Sequence, residues 1–323
     1  MIREAGMRRE RSQAGFAEAL VVGGGNRRLE KVDGIVDWGP VDRLLEPIYA
    51  ATSGRPAYPP LSMVKVVLLQ SWYGLGDPAM EEALGDRLSF RRFAGLGLGE
   101  AVPDHSTICR FRGELVRRGL AEAVFDEINR QLTARGLIVK QGTLIDATLV
   151  DAAAAEPPKQ KGGGRSAADP DAAWTKRPGG KARFGYKLHV AMDQGTQMVR
   201  AARLTPANIT EVVIGHEQVQ GDETAVWADK GYVGPAMRQR LKAGGIKDRV
   251  QRKASRVRRL TSREVLRNKL IGRVRGRIEG FFGAAKRSYG LGRMRYLGLA
   301  RNAAATLMAL TAWNLARAAD QVG

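Results

Sequence analysis

The sequence predicts an α/β protein in which an all-helical N-terminal domain precedes a mixed sheet with flanking helices. Apolar residues recur at intervals of three and four between about residues 60 and 135, which is typical of amphipathic helices. Compact apolar runs of β character begin at residue 143 and then alternate with helical segments. The 323 residues also correspond to about two domains. We therefore divide the chain into a helical domain, residues 1–138, and an α/β domain, residues 139–323.

The helices of the first domain are predicted from their start signals and their apolar spacing. Residues 1 to about 58 are only weakly patterned. A helix begins at Pro60, and Asp77 followed by Pro opens the next, because Asp is a good N-cap and Pro suits the first helical position. A third helix follows a Gly-rich turn and Asp104, and a fourth spans about residues 121–134.

The third helix carries arginines that are candidates for DNA contact. The Gly-rich turn before it permits a helix-turn-helix variant in which Arg110 and Arg112 face DNA. A plain helix bundle, in which these arginines have no such role, is the alternative.

The α/β domain is predicted from five short apolar runs. They are read as strands at residues 143–150, 186–192, 198–204, 225–228 and 246–250. Helices are expected at about residues 211–219 and 235–243, and a long helix in the C-terminal region.

A long loop interrupts the strands at residues 152–183, where Pro and Gly cluster. We expect this loop to be flexible and basic. Trp174 lies in it beside Lys176, Arg177 and Lys181, and an exposed aromatic ring among cations is a candidate nucleic-acid contact. A core position for Trp174 is the alternative.

The charge of the chain indicates a polyanionic partner. Lys and Arg number 53 against 33 Asp and Glu, a net charge of +20. The window from Arg249 to Arg301 alone holds 17 cations and two acids, Glu264 and Glu279. Such a density of cations on a helix suits the binding of DNA phosphates, and a solvated basic face is the simpler alternative.

The remaining composition argues against several classes of protein. One cysteine and three scattered histidines argue against a disulfide framework and a structural zinc site. No apolar run approaches the roughly 20 residues of a membrane-spanning helix, and no apolar signal region follows the N-terminus. We therefore expect a cytoplasmic protein without a membrane partner.

Three acids stand where chemistry is expected. Asp146 lies within a strand that is apolar on both faces, where a charge is costly unless it is paired or bound to a metal. Asp229 ends another strand, a common ligand position in α/β sheets. Glu279 lies within the basic helix. Each Asp taken alone is as readily a turn or helix cap.

Helical periodicity places Glu279 between two cations. At 100° per residue, Arg275, Lys286 and Glu279 fall within about 40° of one another, at the edge of the apolar face. Two Asp and one Glu suit Mg²⁺ or Mn²⁺, and two such ions about 4 Å apart can promote phosphodiester cleavage and transfer. Composition and spacing thus predict metal-dependent phosphodiester chemistry.

The order of these motifs resembles that of a known family. Gly-Thr-Leu-Ile-Asp146-Ala-Thr, Ala-Asp229-Lys-Gly-Tyr and Arg275-x3-Glu279-x6-Lys286 are separated by 83 and 50 residues between their acids. Together they resemble the DDE transposases of bacterial insertion sequences, of the insertion-sequence-five type. The resemblance covers most of the chain, including the segments at 103–112 and 184–193.

The resemblance implies an RNase H-like core in which all three acids are catalytic and hold the metal ions. Asp146 would lie on the first strand, Asp229 after the fourth and Glu279 on the following helix. Arg275 and Lys286, together with Lys187, Lys230 and Tyr232 in the matching motifs, are then candidate DNA contacts. The family pattern has Tyr at position 272, where this chain has Gly272.

The resemblance also implies an activity. The protein would bind the terminal inverted repeats of its element as double-stranded DNA, cleave at their ends and join the 3′-hydroxyls to target DNA, using two Mg²⁺ ions that Mn²⁺ can replace. Binding two ends at once implies a homodimer on DNA. The alternatives are an RNase H-like nuclease without strand transfer and a domesticated DNA-binding protein without activity.

Overall fold

A computed structural model of the protein describes residues 25–48, 57–158, 164, 166–176, 180–255 and 257–322. These residues form two units. One is helical and comprises the described residues up to 134 together with those from 307 onward, and the other comprises the described residues between 135 and 306. The sequence-based boundary had assigned residues 307–323 to the α/β domain, whereas the structure groups the end of the chain with the helical unit. No helix in the described part is long and apolar enough to cross a membrane.

The helical unit contains seven complete helices in the described residues and the end of an eighth. Gly74 ends the third helix in the left-handed conformation, φ 66°, as a glycine after the last turn readily does. The predicted starts at Pro60 and Asp77 are confirmed, although Gly76 rather than Asp77 is the N-cap of the second of these helices. The first two helices lie in the stretch that is weakly patterned in sequence. The elements are α1 Arg27–Ile35, α2 Trp38–Leu45, α3 Pro60–Tyr73, α4 Asp77–Asp86, α5 Leu88–Ala94, α6 His105–Arg117 and α7 Leu120–Ala134, followed at the chain end by α11 Leu299–Gln321.

The end of α11 completes the core of the helical unit. Its buried apolar side chains include Leu310 and Leu315, both at most 1% exposed. The Trp72 indole donates a hydrogen bond to the Ala312 carbonyl at 2.7 Å, and the Asn314 amide donates to Asn129 Oδ1 at 2.7 Å. These contacts join α11 to α3 and α7, which explains why the last part of the chain belongs to this unit.

A half-buried ion pair joins three helices of the same unit. Arg112 on α6 makes a bidentate pair with Asp77 at the start of α4 and also donates to Gln70 on α3. Burial opposes ionisation of Asp77, but the hydrogen bonds from Arg112 and Gln70 prevail and hold the pKa of this carboxyl below its ordinary value. The guanidinium of Arg112 is therefore committed to the interior of the bundle. The prediction that Arg112 faces DNA does not agree with this placement.

The α/β unit is built on a mixed sheet, as predicted, but the sheet has six strands rather than five. Strand β3 pairs antiparallel with β1, β2 and β4, while β5 pairs parallel with β1 and with β6. The order along the main path is β2-β3-β1-β5-β6, with β4 beside β3. The strands are β1 Thr143–Asp151, β2 Ala173–Lys176, β3 Ala182–Asp193, β4 Val199–Pro206, β5 Ala225–Ala228 and β6 Lys247–Val250, and the helices are α8 Glu211–Ile214, α9 Pro235–Ala243 and α10 Ser262–Ser288.

The prediction of one continuous loop over residues 152–183 is wrong in part, because β2 lies within it. The segment before β2 is also anchored by two acids. Asp169 is fully buried and accepts a hydrogen bond from the Tyr186 hydroxyl at 2.6 Å. Asp171 accepts one from the Leu299 amide at 2.8 Å. Short polar side chains that bond the backbone here satisfy donors that a free loop would leave to water.

Candidate active site

Asp146 lies in the middle of β1 with both carboxylate oxygens hydrogen-bonded. Oδ2 accepts from Nη2 of Arg275 at 2.7 Å, and Oδ1 accepts from the Ala147 amide at 2.8 Å. The Asp146 side chain is 18% exposed and that of Arg275 11%. The costly charge within an apolar strand is therefore paired, as the sequence required.

Asp229 follows β5 and meets Asp146 at the point where the two strands separate. The parallel pairing of β1 with β5 ends at Ile145 and Ala228, so the two aspartates are the next residue on each strand. Asp229 Oδ1 accepts a hydrogen bond from the Gly231 amide at 2.7 Å, which fixes the carboxylate at the start of a short 3-10 turn.

The electrostatics of Asp146 reflect this arrangement. Burial raises the pKa of the Asp146 carboxyl above its ordinary value, Arg275 opposes that rise, and the negative charge of Asp229 adds to it. Two neighbouring carboxylates favour a cation between them, because their negative charges repel each other.

Helix α10 carries Arg275, Glu279 and Lys286, here called the basic stripe, across this region. It begins with a capping box formed by Thr261 and Glu264. It packs on β1 and β5, and its buried side chains are Ile271, Ile278, Phe281, Phe282 and Ala285. The last four of these recur at intervals of three and four residues, as one face of an amphipathic helix requires.

The stripe of α10 follows the edge of β1. Arg275 reaches Asp146, and one end of the stripe is thereby fixed. At the other end Lys286 Nζ donates to the Leu149 carbonyl at 2.9 Å. Glu279 lies between them in sequence and is exposed, and it makes no hydrogen bond or ion pair with the residues that the structure describes.

The three acids are not gathered into one cluster. Within the described ranges, no group of three His, Cys, Asp or Glu side chains is placed to hold a metal ion. The chemistry of the donors fits a divalent cation, since all are carboxylates. Their placement fits a divalent cation in part. Asp146 and Asp229 are adjacent, but Arg275 is bonded to one oxygen of Asp146. Glu279 lies apart from them on the neighbouring helix.

Besides Arg112, two further predicted DNA contacts are interior residues. Tyr232 is 1% exposed, and its hydroxyl has no hydrogen-bond partner among the described residues. Burial raises its pKa well above the ordinary value, and the charges of Asp146, Glu211 and Asp229 add to that rise. Tyr232 therefore lies beneath the acids rather than on a DNA-facing surface.

Lys187 is the second of these interior residues. It is 8% exposed, pairs with Glu211 at 3.0 Å and donates to the Ile209 carbonyl at 2.7 Å. Its role is to pin the start of α8 to β3. Sequence reasoning missed Glu211, although an acid in the first turn of a helix after Thr210 is a recognisable signal.

The remaining candidates differ in their exposure. Trp174 is half-buried on β2, with its ring packed against that of Phe184 at a centroid distance of 5.5 Å, so it is not the loop residue that was expected. Arg177 lies outside the described residues. Exposed cations are found at the four other positions, which are Arg110, Lys176, Lys181 and Lys230.

Two family models match the chain. Residues 21–114 match the model of a transposase domain (DUF772), and residues 138–315 match that of the transposase DDE domain. The second match spans 178 of the 323 residues, more than half of the chain.

The mixed sheet and the DDE domain define an RNase H-like enzyme core. The chain belongs to the family of DDE transposases of insertion sequences, and it is a metal-dependent DDE transposase. Enzymes of this family use divalent metal ions. The insertion-sequence-five type stays a prediction.

Proposed function

We propose that this transposase binds the terminal inverted repeats of its insertion sequence, cleaves the DNA at the element ends and joins the 3′-hydroxyls to target DNA. Asp146, Asp229 and Glu279 are the proposed catalytic residues. The observation that carries the proposal is the pair of adjacent carboxylates where β1 and β5 separate, beside a helix that presents Glu279 between two cations.

The same three acids are the proposed ligands of two Mg²⁺ ions, which Mn²⁺ can replace. Ions at this place would activate the attacking oxygen and stabilise the leaving oxygen of a phosphodiester. Glu279 is exposed on α10, so a change in its rotamer or in the helix can carry its carboxylate toward the two aspartates. Lys286 is held at the edge of β1, where its charge can attract a phosphate.

The proposed DNA surface consists of the exposed cations. Lys230 directly follows Asp229, and Lys176 and Lys181 flank the hairpin formed by β2 and the start of β3. Arg177, which lies between them in sequence, is included in this proposed surface because of its place in the sequence pattern. A homodimer would hold both element ends, and DNA as substrate places the protein at the nucleoid in the cytoplasm.

Strand-transfer products distinguish this proposal from its alternatives. The test supplies the full chain with Mg²⁺, a target plasmid and a linear duplex ending in the repeat sequence found beside its gene. We expect joined products. Cut but unjoined DNA would favour a nuclease of the same fold, and a mobility shift without cutting would favour a DNA-binding protein that has lost activity.

Arg110 and Arg112 provide a matched pair for testing the helical unit. Arg110 is exposed on α6 and bonds only Ser106 and Thr107 of its own helix in the described structure, whereas Arg112 is held by Asp77. Arg110→Ala is expected to weaken DNA binding and reduce the salt dependence by about one unit, with stability unchanged within about 0.5 kcal/mol.

Arg112→Ala is expected to lower stability while leaving DNA binding nearly unchanged. Loss of the partner of the half-buried Asp77 carboxylate should lower the free energy of unfolding by about 2 kcal/mol. Fluorescence anisotropy at several salt concentrations and urea unfolding measure the two effects. Unchanged DNA affinity of Arg110→Ala would remove α6 from the proposed DNA surface.

A further inference from the structure

Arg275 occupies a position beside Asp146 that a metal ion bound to this carboxylate would also need. Its Nη2 lies 2.7 Å from Asp146 Oδ2, and both side chains are largely buried. The other oxygen of Asp146 accepts a hydrogen bond from the Ala147 amide. A metal ion at Oδ2 would compete with the guanidinium for this carboxylate, because two cations within bonding distance of one oxygen repel each other strongly.

The guanidinium is held on one side only. Nη2 bonds Asp146, while the buried Nε of Arg275 has no hydrogen-bond partner among the described residues. A structural arginine of the same protein differs: Arg112 pairs with both oxygens of Asp77 and also bonds Gln70. Single attachment leaves Arg275 able to exchange its partner, and a planar donor fork matches a phosphate as well as a carboxylate.

We propose that Arg275 is an internal counter-ion that neutralises Asp146 in the DNA-free protein and thereby lowers its affinity for divalent metal ions. A DNA phosphate then competes for the guanidinium and releases Asp146 to the metal. Metal and DNA binding are coupled through this exchange, and each raises the affinity for the other. Arg275 is thus a positioning residue whose effect is exerted through Asp146. This inference rests on the proposed metal site at the two aspartates.

The test measures Mn²⁺ affinity of the full-length, DNA-free protein by the electron paramagnetic resonance of free Mn²⁺. Arg275→Gln is expected to bind Mn²⁺ about tenfold more tightly than the wild type, since a fixed positive charge has been removed from the ligand. Arg275→Lys retains the charge and should stay close to the wild-type affinity. Arg277→Gln is the matched control on the same helix, because Arg277 bonds only the Gln194 carbonyl in the described structure, and it should change nothing.

Two further measurements keep the outcome decisive. Thermal unfolding with and without Mn²⁺ should show a larger metal-induced rise in Tm for Arg275→Gln than for the wild type, and this holds even if the variant is less stable without metal. A random-sequence duplex should tighten Mn²⁺ binding to the wild type but not to Arg275→Gln.

The outcomes separate this inference from the proposed function. Asp146→Asn and Asp229→Asn should both lose Mn²⁺ binding, and retention of wild-type binding by both would overturn the metal site itself. If those variants lose binding while Arg275→Gln binds Mn²⁺ no more tightly than the wild type, the metal site stands and the counter-ion role is overturned.

Discussion

Replacing Asp229 with Asn is expected to reduce strand cleavage at least about a thousandfold while leaving the affinity for DNA nearly unchanged. Asp229 follows β5 beside Asp146, and its carboxylate is fixed by the Gly231 amide. A metal-bound phosphodiester transition state depends on such a ligand for several kcal/mol, and each 1.4 kcal/mol corresponds to tenfold in rate. DNA affinity depends on the many surface cations, so the loss of one acid should leave it intact.

The rate is to be measured on pre-formed protein–DNA complexes, so that binding does not limit it. Asp146→Asn and Glu279→Gln are expected to show losses of similar size. Asp248→Asn is a suitable control, because this acid lies on β6 and pairs with Arg252 and Arg267 rather than with the site. Substantial cleavage by Asp229→Asn would exclude that carboxylate from the catalytic set, and cleavage by Glu279→Gln would exclude Glu279 in the same way.

The positions of the acids could be predicted because each is marked by its local sequence. Asp146 interrupts an apolar strand, and Asp229 ends one, so both had to lie at special points of a sheet. The pairing of β1 with β5, and hence the proximity of the two acids, is a long-range property that no local pattern contains. The partner of Asp146 was missed for the same reason, since Arg275 lies 129 residues away.

The predicted DNA contacts agreed less well with the structure, because the sequence does not show which acid a given Lys or Arg will pair with. Lys187 and Arg112 look alike as basic residues, yet each meets an acid from another element, Glu211 and Asp77 respectively. Tyr232 follows Asp229 by three residues, and the 3-10 turn directs it inward. Burial of these side chains depends on tertiary packing, which composition and spacing do not specify.

Removing residues 307–323 is expected to unfold the helical unit, although this segment lies furthest in sequence from most of it. The end of α11 supplies buried apolar side chains and two side-chain hydrogen bonds to α3 and α7. Without it, a large apolar surface of α3 and α7 becomes exposed to water, at about 25 cal/mol per Å². Hydrogen exchange should therefore show loss of amide protection in α3 and α7.

Single substitutions in the same segment give a graded form of this test. Leu315→Ala removes a fully buried side chain and should lower the free energy of unfolding by about 3 kcal/mol, while Gln321→Ala, at an exposed position, should have no measurable effect. Retained protection of α3 and α7 in the truncated chain would show that the N-terminal helices fold alone, in which case residues 1–138 would suffice as a DNA-binding fragment. If protection is lost, the smallest unit that can be tested for recognition of the terminal repeats must include the end of α11, because α6, which carries Arg110, packs on α3 and α7.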